Sequence, residues 1–169
     1  MIIFYLKQYC TNNKHWLTIC SLFIVLTLAG CNKIGVFEKN TTIPNYKWQN
    51  NFKPTYSFTI TDTTALYNIY LVLRHTDAYK YNNVWVNITT QFPTETAKQQ
   101  RLEIIIGNDA QGWEGTGMDD IWELRKPITM GPVPLKKAGL YTFSIEQIMR
   151  ENPLQHILSA GIRVEKVIR

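Results

Sequence analysis

Cysteine is scarce in this chain, and most of it sits at one end. Cys10 and Cys20 fall within the first thirty residues, which leaves Cys31 with no partner thiol in the remainder. An intramolecular disulfide framework and a cysteine-based zinc site are therefore excluded there. Histidine is equally sparse: His75 and His156 stand far apart and in no ligand spacing, so no metal is expected. Beyond residue 30 the serines are Ser57, Ser144 and Ser159, none in a Gly-x-Ser-x-Gly elbow. Charged residues make up only 18%, with a net charge of +5. Setting aside Lys7 and Lys14 in the first thirty residues leaves sixteen basic against thirteen acidic side chains, evenly interleaved. That is no nucleic-acid footprint. The longest apolar run also falls short of the roughly 20 residues of a membrane-spanning helix.

What is present is enough for one core: 169 residues, 45% hydrophobic and 12% aromatic. The uncharged run Trp16–Leu28 follows Lys7, Lys14 and His15 and ends in Leu28-Ala29-Gly30-Cys31. A basic start, a short apolar stretch and small residues before a cysteine read as a lipoprotein signal peptide. Residues 1–30 are expected to be removed and Cys31 to be acylated, anchoring the chain on a membrane. Asn32 replaces the aspartate that often retains lipoproteins in the inner membrane, and no acidic cluster follows Cys31. The outer membrane, on its periplasmic face, is the favoured location. Residues 31–35 form a short tether, since four residues span at most about 14 Å. Residues 36–169 form a single domain.

That domain reads as all-β. Tyr56, Phe58 and Ile60 alternate with Ser57 and Thr59. The same period appears in Tyr67–Leu73, Val84–Phe92, Leu102–Ile106, Tyr141–Ile145 and Ile162–Val164. Two further strands are expected near Val36–Thr42 and Ile121–Met130, seven or eight in all, separated by Gly-, Asn-, Asp- and Pro-rich turns. One apolar and one polar face per strand predicts an antiparallel β-sandwich, immunoglobulin-like or jelly-roll-like. Gly139-Leu140-Tyr141-Thr142-Phe143 matches the tyrosine corner of immunoglobulin-like domains, or simply a turn followed by an inward Tyr. Glu146–Glu151, closed by Asn152-Pro153, predicts one short helical turn near residues 146–151.

Candidate functional groups lie between these strands. Arg74, Asp77, Tyr79, Tyr81 and Asn83 crowd one interstrand loop, a composition that suits a protein contact or a solvated hairpin. Trp113 and Trp122 flank the Asp119-Asp120 loop, where they could stack on a sugar, anchor a partner or cap the core. Arg150 could hold a partner or cap local carbonyls. Asp119, Asp120 and Glu123 could supply a glycosidase carboxylate pair or calcium oxygens, a weak signal in so short a loop. No cofactor is indicated.

Several denser stretches resemble one family. They are Ile43-Pro44-Asn45-Tyr46-Lys47-Trp48; Asp62-Thr63, Tyr67–Leu71, Arg74-His75, Tyr79, Tyr81 and Asn83; Gly115-Thr116-Gly117 with Asp120-Ile121; and Gly139–Phe143 with Glu146-Gln147, Met149-Arg150, Pro153-Leu154 and Gly161-Ile162-Arg163. Together they resemble the gliding-motility lipoprotein GldH family of Bacteroidota. The resemblance implies a lipid-anchored, non-catalytic part of the gliding machinery and its associated type IX secretion, with other envelope proteins as partners. It carries no catalytic residues across. The runner-up is a glycan-binding lipoprotein of a nutrient-uptake system using Trp113 and Trp122, and the third a hydrolase built on the Asp119–Glu123 loop.

Overall fold

A computed structural model describes residues 35–167. The expected signal peptide, Cys31 and most of the expected tether lie outside the described residues. Alternation in the sequence becomes pleated strand almost everywhere. β3 (Thr55–Ile60), β5 (Asn83–Gln91) and β12 (Gly139–Gln147) bury every second side chain, so Tyr56, Phe58, Val84, Val86, Tyr141 and Phe143 share one interior. Eight strands have six or more residues: these three, β1 (Gly35–Thr42), β4 (Leu66–Thr76), β6 (Lys98–Ile105), β10 (Ile121–Pro127) and β14 (Ile157–Lys166).

Their pairing is that of a long hairpin rolled up on itself. The first long strand pairs with the eighth (β1–β14) and the second with the seventh (β3–β12). The third pairs with the sixth (β4–β10), and the fourth with the fifth (β5–β6). Rolling places β14 beside β4 and β12 beside β5, giving the sheets β1-β14-β4-β10 and β3-β12-β5-β6. This is the jelly-roll arrangement, which resolves the sequence alternatives against the immunoglobulin order. Short strands complete the edges. β9 (Thr116–Met118) extends β10, and β11 (Val133–Pro134) pairs the start of β4. Two small ladders join β2 (Lys47–Trp48) to β13 (Leu154–Gln155) and β7 (Gly107–Asn108) to β8 (Gly112–Trp113).

The sheets face each other across one core. Phe37 of β1 stacks on Phe58 of β3 at 5.0 Å, and the Tyr56 hydroxyl donates to the Ala160 carbonyl of β14 at 2.6 Å. Buried tyrosines keep their bulk inside and place the hydroxyl on a backbone carbonyl. Tyr67 donates to Asp62, Tyr79 to Asn83 and Tyr141 to Lys137, at 2.6, 3.0 and 2.8 Å. The Tyr141 bond to a carbonyl four residues upstream is the geometry of a tyrosine corner, here on a jelly roll.

One expectation is corrected. Residues 146–151 form no helical turn: Glu146 and Gln147 continue β12, and a bend follows. Gln147 falls on the inward phase set by Tyr141, Phe143 and Ile145 and is fully buried. Its amide donates to the Trp48 carbonyl at 3.1 Å and accepts from the Met149 N–H at 2.8 Å. Strand phase and a doubly bonded amide outweigh local helix propensity. A 3-10 hydrogen-bonded turn lies instead at Pro44–Tyr46, with Asn45 and Tyr46 at positive φ rather than in right-handed helical geometry.

The outward face of the larger sheet is sealed by charge. Arg74, Glu123, Arg125, Glu38, Arg163 and Glu165 form a continuous chain of ion pairs: Arg74–Glu123 at 3.8 Å, Glu123–Arg125 at 3.1 Å, Arg125–Glu38 at 3.5 Å, then Glu38–Arg163 and Arg163–Glu165. Arg125 on β10 and Glu38 on β1 are separated by two intervening strands, about 14 Å at roughly 4.8 Å per strand. Their side chains must reach across the outward face past Val72, which lies in register with Arg125, while the Asn40 side chain fills the space outside Gly161. Val72 accordingly has no exposed surface although it points outward.

Candidate partner-binding surface

Antiparallel pairing puts alternate connections at opposite ends of the sandwich. One end carries the start of β1, the end of β14 and residues 61–65, 92–97 and 128–138. The other, distal end is closed by residues 43–54, 77–82, 106–120 and 148–156. All eight candidate contact residues lie in or beside these distal connections.

β4 runs to Thr76 and β5 begins at Asn83, so the loop between them is shorter than the sequence suggested. Arg74 sits on the strand and Asn83 opens the next one. Arg74 joins the outward charge network near its distal limit, and its Nε has no hydrogen bond. Asn83 donates to Glu103 Oε1 at 2.5 Å. Asp77 is exposed, its N–H bonded to the Asp120 carbonyl at 2.8 Å, which ties this loop to the β9–β10 hairpin. Tyr79 is a core residue at 4% exposure, and burial pushes its phenol pKa upward. It therefore cannot present its ring to a partner. Tyr81 does so, at 37% exposure, with its hydroxyl donating to Glu151 at 2.8 Å. That bond ties the 77–82 loop to Glu151, whose neighbour in sequence, Arg150, is exposed.

The tryptophans close the core rather than project from it. Trp113 meets the edge of His75 at 4.8 Å and lies 6.3 Å from Tyr79, which packs edge-on to Tyr81 at 5.7 Å. Trp122 is half-buried in β10, opposite Gly117 of β9. A Cβ on Gly117 would lie 3.0–3.1 Å from three atoms of that ring, so backbone already occupies one ring face. Stacking on a sugar is correspondingly disfavoured. The remaining acid candidates are dispersed: Asp119 and Asp120 form the hairpin turn, whereas Glu123 is tied into the arginine network. Among the described residues, no three His, Cys, Asp or Glu side chains gather to hold a metal.

Sequence reading missed Tyr46 and Met118, which add exposed apolar surface at this end with 52% and 69% exposure. Each follows or precedes a turn residue at positive φ, Asn45 and Asp119, a local clue to projection. It also missed that His75 is fully buried. The His75 Nδ1 lies 2.8 Å from the Thr76 carbonyl, while Nε2 has no partner. Burial lowers its pKa, opposed only in part by the Thr76 bond. The native ring stays neutral while the unfolded chain takes up a proton near the ordinary value of 6.5. Stability present above that pH is thus lost as pH falls toward the depressed folded value, by at most about 1.4 kcal/mol per pH unit. Urea midpoints measured from pH 7 to 5 should fall less steeply for His75→Gln. An unchanged slope would assign the dependence to another group.

Comparison with known proteins agrees with this chain over nearly all its described length. The profile of a family described as GldH lipoprotein matches residues 35–164. A gliding motility lipoprotein GldH from Flavobacterium johnsoniae is 26% identical over 152 residues, covering 86% of this chain and 93% of the relative. A gliding motility lipoprotein GldH homolog from Christiangramia forsetii is 25% identical over 152 residues, covering 86% and 92%. No solved structure matches. With a family profile spanning both sheets from β1 into β14, the chain belongs to the GldH lipoprotein family.

Proposed function

We propose that this protein is a lipid-anchored, non-catalytic component of the gliding-motility machinery and its associated type IX secretion. Cys31 holds it in the outer membrane, facing the periplasm, and the distal end of the sandwich grips another envelope protein. Family membership and the names of the relatives support the gliding assignment. The basic, apolar and Leu-Ala-Gly-Cys succession supports the anchor.

The observation that carries the contact reading is convergence. Asp77 and Tyr81, Met118 to Asp120, Tyr46 and Arg150 come from four separate connections and are all exposed at one end. Tyr and Arg are the side chains that most often anchor interfaces. Asp77, Asp109, Asp119 and Asp120 enter no ion pair among the described residues, and neither do Lys47, Lys80 and Arg150 at the same end, so a partner face of mixed charge is the complement.

Combining Asp77→Lys, Tyr81→Ala and Arg150→Glu in a gliding strain should abolish gliding and impair the linked secretion. Abundance and acylation should stay normal, because none of the three is a core residue. Tyr79→Ala is the contrast: it should lower abundance through lost stability, the usual route to a phenotype without a lost contact. Normal gliding of the triple variant would remove the distal end from the mechanism. Normal gliding after deletion of the whole gene would remove the gliding role.

A further inference from the structure

The end of the sandwich opposite the partner surface also has a specific character. The described chain begins there, at Gly35, four residues after Cys31. Four residues reach at most about 14 Å, so an acylated Cys31 holds this end close to the bilayer. This end displays Met130, fully exposed, Leu140 at 58% and Val36 at 42%. They stand among Lys98, Lys136, Lys137 and Lys166. The acids of this end are already engaged: Asp62 pairs with Lys166, and Glu95 with Lys98 and Lys137. Lys136 enters no ion pair among the described residues. A cleft of about 210 Å³ opens beside it, with Phe92, Leu135 and Tyr141 in its wall and Lys136 and Lys137 among its lining. At the distal end, by contrast, the exposed Met118 is followed by two aspartates.

Apolar side chains flanked by lysines are what a bilayer with anionic headgroups accepts, and adjacent aspartates are what it repels. We propose that the Gly35 end lies flat on the lipid surface that anchors the chain, with Met130 and Leu140 among the acyl chains and the unpaired Lys136 on a lipid phosphate. This rests on the reading that Cys31 is acylated. It adds an orientation: the sandwich stands with its long axis across the membrane plane and offers its distal end to the periplasm.

The test uses the full-length acylated protein in vesicles of phosphatidylethanolamine and phosphatidylglycerol. Met130→Cys and Met118→Cys are each labelled with a polarity-sensitive fluorophore, acylation having removed Cys31 from the reaction. Brominated acyl chains should quench the Met130 label severalfold and leave the Met118 label unchanged, at every protein-to-lipid ratio. Lys136→Gln should weaken that quenching by roughly fivefold in the underlying equilibrium. Vesicle-bound protein with an unquenched Met130 label overturns the orientation while leaving the anchor intact. Protein that fails to associate with vesicles at all overturns the anchor, and the orientation with it. Quenching that appears only at high protein density assigns this end to a second copy of the chain, which also overturns the proposal.

Discussion

Tyr141→Ala is expected to cost about 3–5 kcal/mol, the usual range for truncating a buried aromatic to alanine. Tyr141 is 1% exposed, packs 6.1 Å from Phe58 and 5.2 Å from Phe92, and secures its hydroxyl on the Lys137 carbonyl. Removing the ring empties the junction between β12 and β3 and also frees the 128–138 connection. Against a typical stability of about 5–15 kcal/mol, much of the margin goes, and the melting temperature should fall by roughly 10–20 °C. Tyr141→Phe separates the two contributions. It keeps the packing and loses one hydrogen bond, so a cost of about 1 kcal/mol is expected. Equal melting of wild type and Tyr141→Ala in a thermal scan would contradict the burial described for this ring.

Gly115→Ala should be comparably damaging despite adding one methyl group at an exposed position. Gly115 has φ +98, and a Cβ there would lie 2.2 Å from the Glu123 carbonyl oxygen and 2.9 Å from its carbon. Those atoms are backbone of β10, so relief requires β9 to move off the sheet. Strain of about 1–3 kcal/mol for the dihedral and a further 1–3 kcal/mol for overpacking are expected. Gly112→Ala provides the control, since φ is +78 there but nothing lies within 4 Å. It should show the dihedral cost alone. Chemical denaturation that finds the two substitutions equivalent would show that the approach to Glu123 is not tight.

Much of the fold was legible because a strand with one wet face writes its pleat into the sequence. Tyr56-Phe58-Ile60 and Tyr141-Phe143-Ile145 are such records. β14 is where that record fails. Only Ile162 and Val164 stood out, yet the strand begins at Ile157 and buries Leu158, Ser159, Ala160 and Gly161 in succession. Burial on both faces erases alternation, and at Gly161 the second cover comes from the Asn40 side chain of β1, a residue remote in sequence. The helical turn expected at 146–151 had the converse cause, since propensity is local whereas the partners of Gln147 are not. At the candidate surface, composition located the 77–82 loop. It could not show that Tyr79 turns inward while Tyr81 turns out, nor that the Tyr81 hydroxyl bonds Glu151. Those facts belong to the topology that gathers four connections at one end.

Pairing the first long strand with the last also governs timing. Phe37 of β1 meets Val164 of β14, so the N-terminal strand has no neighbour until almost the whole chain has arrived. A polypeptide exported N-terminus first cannot assemble this sheet stepwise behind the translocation pore; delivery must precede closure. Loop-closure entropy orders the other pairings in the same sense. The β5–β6 hairpin closes a short loop, β4–β10 and β3–β12 close progressively longer ones, and β1–β14 closes the longest, at about 4 kcal/mol. The strand nearest Cys31 in sequence is thus the last to gain its partner, and under the anchoring proposed above the chain would until then be held to the membrane by a segment that has not yet joined the sheet.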